Sequence, residues 1–262
     1  MNLDLKNKRA MVCGSTQGIG KAVALELASL GASVTLVARN EGKLQETLRE
    51  LEQTEGQQHD YIVADFSKPD EVYRQLKTYM QEQDAMHILV NNTGGPPGGP
   101  ILEAKPEEFL KAFNMHLISN HQLVQAVVPL MKKAGYGRII NIISTSVKEP
   151  IPGLGVSNTT RGAVASWAKT MANELGQFGI TVNNVLPGST KTSRIWSLVE
   201  SRAEKAGRSK EDVQQEMEAA IPARRFAEPE EVAAAAAFLA TPAAAYINGV
   251  SLAVDGGRTG SI

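Results

Sequence analysis

The chain has 262 residues, of which 42% are hydrophobic and 21% are charged, and its formal net charge is −1. This length and composition suffice for one large α/β domain with a sizeable core. The balanced charge provides no electrostatic footprint for nucleic acid or for an anionic membrane surface, and the single cysteine excludes an internal disulfide framework.

No targeting or membrane segment is recognisable in the sequence. The first eight residues lack the apolar stretch of a signal peptide, and the alanine-rich run 232–240 is too short to span a bilayer. We therefore expect a soluble protein of the cytoplasm, a reducing compartment that suits a chain with one cysteine. We interpret that residue, Cys13, as a buried small hydrophobe rather than a reactive thiol.

Short apolar runs alternate with helical patterns along almost the whole chain. The runs are rich in Val and Ile and lack alternation, as is typical of parallel strands buried on both faces. Strands are predicted near 10–14, 33–38, 60–64, 87–91, 138–143, 180–186 and 250–254. Helices are predicted near 19–30, 41–54, 69–82, 106–133, 158–177 and 229–240. This alternation predicts a doubly wound parallel α/β sheet of about seven strands with helices on both faces, in a single domain, 1–262.

The first strand leads into a glycine-rich turn, residues 13–20, with the sequence Cys-Gly-Ser-Thr-Gln-Gly-Ile-Gly. Glycine suits such a turn because it adopts positive φ and lets a backbone or a phosphate approach closely. The helix that begins near Gly18 directs free N–H groups and its positive dipole end at the turn, which favours an anion. A plain tight turn explains the glycines nearly as well, so the turn's position at the head of the strand–helix pattern is what favours an anion site.

Two segments interrupt the alternation. Residues 93–100 follow the fourth strand and are too rich in Gly and Pro for regular structure. Residues 189–228 follow the sixth strand, are too long for an ordinary connection and contain two helical patterns of their own. Both segments leave the carboxyl ends of strands, where open α/β sheets bind ligands. We interpret 189–228 as a helical lid over a substrate.

Several motifs fall in one order and spacing along the chain. They are Gly14-x-x-x-Gly18-Ile19-Gly20, Asn91-Asn92-Thr93-Gly94, Asn114, Ser144, Asn184-x-x-Pro187-Gly188 and Val254-Asp255-Gly256-Gly257. The pattern covers essentially the whole chain and resembles the short-chain dehydrogenase/reductase family. Within this family the chain broadly resembles the 3-oxoacyl-carrier-protein reductases. The resemblance implies a Rossmann-type domain, a nicotinamide dinucleotide, hydride transfer to or from a small-molecule carbonyl or alcohol, and a homo-oligomer, either a tetramer or a dimer.

The end of the second strand indicates which dinucleotide is used. NAD-preferring sites usually place an acid there to hold the ribose 2′-hydroxyl, whereas here Ala38 is followed by Arg39 and Asn40. Without a carboxylate nothing repels a 2′-phosphate, and a guanidinium can bind one bidentately. We therefore expect NADP(H), with a solvated arginine at a helix entry as the alternative interpretation of Arg39.

The resemblance assigns further residues to the cofactor. Asp65 and Phe66 would contact the adenine, Asn92 and Gly94 would line the adenine-side ribose, and the segment after Pro187 would meet the nicotinamide. Turn-forming roles are the alternatives for Asp65 and Asn92. The expected cofactor-binding residues are Gly14, Ser15, Gln17, Gly18, Ile19, Gly20, Arg39, Asn40, Asp65, Phe66, Asn92, Gly94, Arg161, Pro187, Gly188, Thr190 and Thr192.

One part of the family pattern is missing. The family's proton donor is a tyrosine thirteen residues after the active-site serine, with a lysine four residues further on, but counting from Ser144 leads to Ser157 and Arg161. An alkyl hydroxyl is a much poorer acid than a phenol, whose pKa is about 10. Arg161 has a permanent charge and five donors, so it can hold the nicotinamide ribose and stabilise a developing alkoxide, but it does not easily pass a proton.

Three hypotheses follow. In the first, which we favour because the cofactor site and the substrate loops look intact, the chain is an NADPH-dependent carbonyl reductase. Its catalytic set is Asn114, Ser144, Ser157 and Arg161, with protons arriving through Ser157, the ribose hydroxyl and a water chain near Asn114. In the second, the chain binds NADP(H) without hydride transfer and is a sensor or an assembly protein. In the third, Ser157 and Arg161 are ordinary helix residues and only the fold remains.

Other site types are not indicated. Two histidines, His116 and His121, lie near Asn114, and we interpret them as structural or surface residues. No spacing typical of metal ligands occurs in the sequence, so no metal is expected.

Overall fold

The structure is a computed structural model that describes residues 1–96 and 98–261. Within them the strands form one parallel sheet in the order β3-β2-β1-β4-β5-β6-β7. The strands are β1 Arg9–Cys13, β2 Ser33–Ala38, β3 Asp60–Val63, β4 Ile88–Asn91, β5 Gly137–Ile142, β6 Ile180–Pro187 and β7 Ser251–Val254. The predicted doubly wound, Rossmann-type sheet is confirmed, and every strand boundary lies within one residue of its prediction.

Helices cover both faces of this sheet. They are α1 Gly18–Ser29, α2 Glu41–Glu50, α3 Pro69–Gln81, α4 Pro106–Phe113, α5 Ser119–Ala134, α6 Gly155–Leu175, α7 Ser193–Ala206, α8 Lys210–Ala219 and α9 Pro229–Ala240. The predicted helix 106–133 is interrupted by a π-helical segment, Asn114–Ile118, between α4 and α5. Helix α6 begins three residues earlier than predicted, at Gly155, where a side chain would collide with Ile101, since an added Cβ would lie 2.5 Å from the Ile101 Cβ.

The sheet separates two apolar cores. Along β1, Ala10 and Val12 point into a core formed with α1, α2 and α9. The alternate residues Met11 and Cys13 point into a second core formed with α3, α5 and α6. Because both faces are covered, the strand is apolar without alternation. Cys13 is fully buried, which raises the pKa of its thiol far above the ordinary value, as expected of a core residue.

The two predicted lid patterns form helices α7 and α8. Their apolar residues pack on one another and on Phe226, which is fully buried. These lid residues are therefore mostly occupied in packing the lid itself, and Trp196 remains partly exposed. The alanines Ala168 and Ala172 of α6 lie in the chain's own core.

The order of the strands reverses between β1 and β4, which creates a crevice at the carboxyl ends of these strands. The glycine-rich turn, the loop after β4, the segment after β5 and the segment 189–228 after β6 all begin at this edge of the sheet. In the described part of the chain, none of the helices combines the length and the apolar character needed to cross a membrane.

Candidate active site

The glycine-rich turn between β1 and α1 is closed tightly. Gly14 and Gly18 have φ values of 60° and 53°, which favour glycine. An added Cβ at Gly20 would lie 2.2 Å from the carbonyl oxygen of Gly14. The side-chain amide of Asn92 donates to the carbonyl oxygens of Cys13 and Gly14 at 3.2 and 3.3 Å. Asn92 therefore connects the end of β4 to the turn, and its expected place beside the ribose stays a prediction.

Two features of this turn fit a phosphate. The N-cap of α1 is Gln17, whose side chain does not cap the helix, so the first backbone N–H groups of α1 have no side-chain acceptor. The hydroxyl of Ser15 is buried and has no hydrogen-bond partner among the described residues. A buried polar atom without a partner is costly, and a phosphate oxygen satisfies both the hydroxyl and the helix N-terminus.

At the end of β2, Arg39 is exposed, whereas Asn40 is occupied locally. The Asn40 side chain accepts the backbone N–H of Lys43 at 3.0 Å and thereby caps α2. This leaves Arg39 as the free group at this position, and its side chain enters no ion pair with the described residues.

Asp65 and Phe66 follow β3. The Asp65 carboxylate accepts the backbone N–H and the hydroxyl of Ser67 at 3.0 and 2.8 Å. The hydrogen bond from the Ser67 backbone lowers the pKa of Asp65, and the charge of Arg39 acts in the same direction. Phe66 is buried, and its carbonyl oxygen accepts the hydroxyl of Ser119. Asp65 therefore forms the local turn that we had weighed against adenine contact, close to Arg39.

The segment that follows β6 approaches the glycine-rich turn. Strand β6 ends at Pro187, and the Thr190 hydroxyl donates to the carbonyl of Gly188 at 3.2 Å. The Thr192 hydroxyl donates to the carbonyl of Thr190 at 3.3 Å. A Cβ placed on Gly18 would lie 2.9 Å from Cγ2 of Thr192. Thr192 thus lies directly beside the start of α1, immediately before helix α7.

Ser144, Ser157 and Arg161 gather at the carboxyl end of β5. Ser144 Oγ accepts the backbone N–H of Ser146 at 3.1 Å, which fixes the side chain just beyond the strand. Ser157 and Arg161 are four residues apart on α6, so they share one face, and both are buried. The Arg161 guanidinium donates to the carbonyl oxygen of Ile142, the last residue of β5, at 3.2 Å.

Arg161 is therefore not a solvated surface arginine. Its side chain is 7% exposed, and burial together with the nearby charge of Arg194 lowers its pKa to about 10. It remains a cation near neutral pH, held by a backbone carbonyl and free of any ion pair within the described residues. A fixed, buried cation at this edge of the sheet can stabilise an oxygen that gains negative charge.

The π-helical segment presents a residue that the sequence reasoning missed. Asn114, which we expected in the catalytic set, is exposed and forms no side-chain hydrogen bond with the described residues. His116 is 1% exposed instead. Its Nδ1 lies 2.5 Å from the Thr93 hydroxyl, at the loop after β4, while its Nε2 is buried without a described partner. Burial and the charge of Arg161 lower the pKa of His116 to about 2.

Asn114 lies exposed at the start of this segment, where its expected catalytic role stays a prediction, and the segment also brings His116 close to the charge of Arg161. π-helical segments inside α-helices frequently occur at functional sites, because the extra residue changes which side chain faces the neighbours. With so low a pKa, the imidazole is neutral at physiological pH, so it can donate or accept a hydrogen bond but is not a cation. The described residues contain no cluster of metal-ligating side chains.

Comparisons with known proteins agree with this architecture. A family model described as enoyl-(acyl carrier protein) reductase matches residues 14–259. The chain is 34% identical over 254 residues to the diacetyl reductase [(S)-acetoin forming] of Staphylococcus epidermidis, which covers 96% of this chain and 98% of the relative. It is 34% identical over 257 residues to the 3-oxoacyl-[acyl-carrier-protein] reductase of Vibrio cholerae, and the match covers 97% of this chain and 98% of the relative.

Among solved structures, L-sorbose reductase from Gluconobacter frateurii, complexed with NADPH and L-sorbose, is 30% identical and has a TM-score of 0.93 over 100% of both chains. The strand order and the glycine-rich turn at the switch point define a Rossmann-type α/β protein with a phosphate-binding turn. The chain belongs to the short-chain dehydrogenase/reductase family, a family of oxidoreductases.

Proposed function

We propose that the protein is an NADPH-dependent carbonyl reductase that uses Ser144, Ser157 and Arg161 where its family uses a serine, a tyrosine and a lysine. The observation that supports this most strongly is the buried guanidinium of Arg161, fixed at the end of β5 one helical turn from Ser157. A buried cation without an ion-pair partner is costly to the fold, so its presence at this edge of the sheet favours a role in binding or catalysis.

The residues of the crevice fit NADP(H). The glycine-rich turn, with the unpartnered Ser15 hydroxyl, would hold the pyrophosphate, and the exposed Arg39 would bind the 2′-phosphate. The segment with Thr190 and Thr192 would meet the nicotinamide end. When bound, NADPH supplies the hydride that reduces the carbonyl carbon. The similar L-sorbose reductase was solved with NADPH, which supports this choice of cofactor.

Ser144 is suited to hold the substrate oxygen. Its Oγ accepts a backbone N–H, which leaves its own proton to be donated to a carbonyl oxygen. As hydride reaches the carbonyl carbon, the oxygen becomes an alkoxide, and the Arg161 charge stabilises it. The alkoxide then takes the hydroxyl proton of Ser157, and a water molecule returns a proton to the Ser157 oxygen. The sequence suggested that Asn114 lies near this water chain. We assign the contact with the water to His116 instead, because the buried Nε2 of His116 lacks a partner in the described structure.

A second candidate function is binding of NADP(H) without hydride transfer, as a sensor or in an assembly. It is favoured by the absence of a phenol at the position of Ser157: the Tyr136 hydroxyl donates instead to the carbonyl of Ala240, and Tyr246 is fully exposed. A serine is a far weaker acid than a tyrosine, so proton delivery is the step on which the two candidates differ.

One experiment separates them. The purified protein is incubated with NADPH and a panel of small ketones, and NADPH consumption is followed by its absorbance. The proposed function predicts turnover of at least one ketone, with a loss of about 100-fold or more in Ser144→Ala or Arg161→Ala. NADPH binding, followed by the fluorescence of Trp167 and Trp196, should persist in both variants. Binding without turnover on any ketone supports the second candidate, and an absence of NADPH binding contradicts both.

A further inference from the structure

Two arginines of the crevice, Arg161 and Arg194, have no acidic partner among the described residues. The Arg161 guanidinium donates to the carbonyl of Ile142, and the Arg194 guanidinium donates to the carbonyl of Pro96 at 2.8 Å. The ion pairs found among the described residues are all formed by other side chains, each at least partly exposed. Arg161 is buried and Arg194 is half-buried. Neither of these two poorly exposed cations forms an ion pair with a described carboxylate.

These two charges act on each other. Burial lowers the pKa of Arg161 to about 10, and the charge of Arg194 contributes to this shift; burial also lowers the pKa of Arg194. A carbonyl oxygen offers only a partial negative charge, and each guanidinium has five donors. With one described acceptor each, most donors remain for a ligand. A buried and a half-buried cation that have only backbone carbonyls as described acceptors are unfavourable unless a ligand supplies an anion.

The pair connects the floor of the crevice to the lid. Arg161 lies on α6 beside Ser157, next to the proposed reacting centre. Arg194 lies in the first turn of α7, and a Cβ added at Gly95 would be 3.5 to 3.7 Å from its guanidinium atoms. The glycine-rich turn already provides the N-terminus of α1 and Ser15 for the phosphates of a dinucleotide. The arginine pair is therefore a second positive centre, located near the reacting carbonyl.

We propose that the substrate is an oxo acid, whose carboxylate binds between Arg161 and Arg194 while its keto group faces Ser144. This proposal rests on the proposed function and specifies its substrate class. A carboxylate one or two bonds from the keto group lets Arg161 contact both the carboxylate and the oxygen that is reduced. Arg194 then holds the carboxylate from the side of the lid, which fixes α7 over the crevice through a charge-assisted hydrogen bond.

The test compares acids with their neutral esters on the protein loaded with NADP⁺, which cannot reduce them during the titration. Binding of 2-oxobutanoate and 3-oxobutanoate, and of the methyl ester of each, is measured by calorimetric titration. We expect at least one acid to bind about tenfold or more tightly than its ester, since a hydrogen bond to a charged group contributes about 1.5–3 kcal/mol. Equal binding of acid and ester in both pairs, or binding of neither acid, overturns the proposal without the need for any variant.

Three variants locate the effect. Arg194→Gln should abolish the preference for the acid and leave ester binding and NADPH binding unchanged, whereas Arg194→Lys should retain part of the preference. Arg202→Gln, on an exposed position of the same helix, is the matched control and should change nothing. If Arg194→Gln weakens NADPH binding instead, the guanidinium serves the phosphates of the dinucleotide and the proposal is wrong.

Binding and turnover distinguish this proposal from the proposed function. If an acid binds with the expected preference and is not reduced, the anion site is supported and the proposed hydride transfer is contradicted. If neutral ketones are reduced while neither acid binds, the reductase function is supported and the oxo-acid substrate class is contradicted.

Discussion

The hydroxyl of Thr93 and Nδ1 of His116 lie 2.5 Å apart, which ties the loop after β4 to the π-helical segment between α4 and α5. The contact fixes the imidazole in one orientation, and the other ring nitrogen stays buried near the Arg161 charge. In a site without a phenol, a neutral imidazole held in this way can accept a proton at one nitrogen and release one from the other.

We therefore expect His116, and not Asn114, to affect the reaction. His116→Ala should lower kcat by about 100-fold, the lower end of what a positioned proton-transfer group contributes. Asn114→Ala should leave kcat within about twofold, because Asn114 is exposed. His121→Ala is a second control, since that ring contacts Trp167 away from the arginine. Steady-state kinetics with the best ketone decide the matter, and a larger effect of Asn114→Ala than of His116→Ala would contradict the assignment.

The low pKa of His116 also makes stability depend on pH. Below about pH 6.5 the unfolded chain binds a proton at this residue, whereas the folded chain does not until the pH approaches about 2. The unfolded state thus binds more protons in this range, and the free energy of unfolding must fall as the pH falls. The expected slope is about 1.4 kcal/mol for each pH unit below the unfolded pKa.

Urea unfolding of the wild-type protein and of His116→Asn at pH 7 and pH 5 measures this slope. The wild-type protein should lose about 2 kcal/mol more than the variant between these pH values. Burial also lowers the pKa of His87, to about 4, but His87 is present in both proteins, so its contribution cancels. Equal pH dependence of the two proteins would mean that the pKa of His116 is the same in the folded and the unfolded state.

The sheet could be predicted closely because its signal is local and repeated. Each strand is a short apolar run buried on both faces, and residues such as Val12 and Val37 report that burial directly in the sequence. The start of α6 was less predictable. Its first residue, Gly155, packs its backbone against Ile101, a contact between residues 54 positions apart that no local pattern reveals.

The site was predicted in part. The spacing of the family pattern led from Ser144 to Ser157 and Arg161, one turn apart on a predicted helix, and both are buried on α6. Asn114 was expected from the order and spacing of the family motifs, whereas the buried stripe of its helix contains Ala112, His116 and Leu123. Position 116 follows 112 by four residues and therefore shares its face, while 114 does not. Helical periodicity contained the signal for His116, although the π-helical turn itself and the contact with Thr93 could not be seen in the sequence.

The closure of the glycine-rich turn leads to a prediction at Gly20. A methyl group there would lie 2.2 Å from the carbonyl oxygen of Gly14 and 2.4 Å from Nδ2 of Asn92, and a backbone oxygen cannot move without opening the turn. Gly20→Ala should cost about 1–3 kcal/mol of stability and weaken NADPH binding about tenfold or more. Urea unfolding and a fluorescence titration measure both effects.

Gly162 provides the matched control for this change. It lies in α6, and a Cβ added to it meets no atom within 4 Å. Gly162→Ala should therefore raise the free energy of unfolding by about 0.5–1 kcal/mol, because glycine in a helix is less favourable than alanine, and NADPH binding should stay unchanged. If Gly20→Ala bound NADPH as tightly as Gly162→Ala does, the turn would not be the phosphate site.

The choice between NADPH and NADH depends on Arg39. No carboxylate occupies the end of β2, where Ala38 precedes this exposed arginine and Asn40 is engaged in capping α2. If the guanidinium binds the 2′-phosphate, Arg39→Ala should weaken NADPH binding by about tenfold to 100-fold, the range expected for charged hydrogen bonds. NADH binding should not change, because NADH lacks that phosphate. Arg49→Ala, at an exposed arginine in the last turn of α2, controls for the loss of a nearby positive charge. An equal loss for both cofactors, or no loss for either, would identify Arg39 as a solvated arginine at a helix entry.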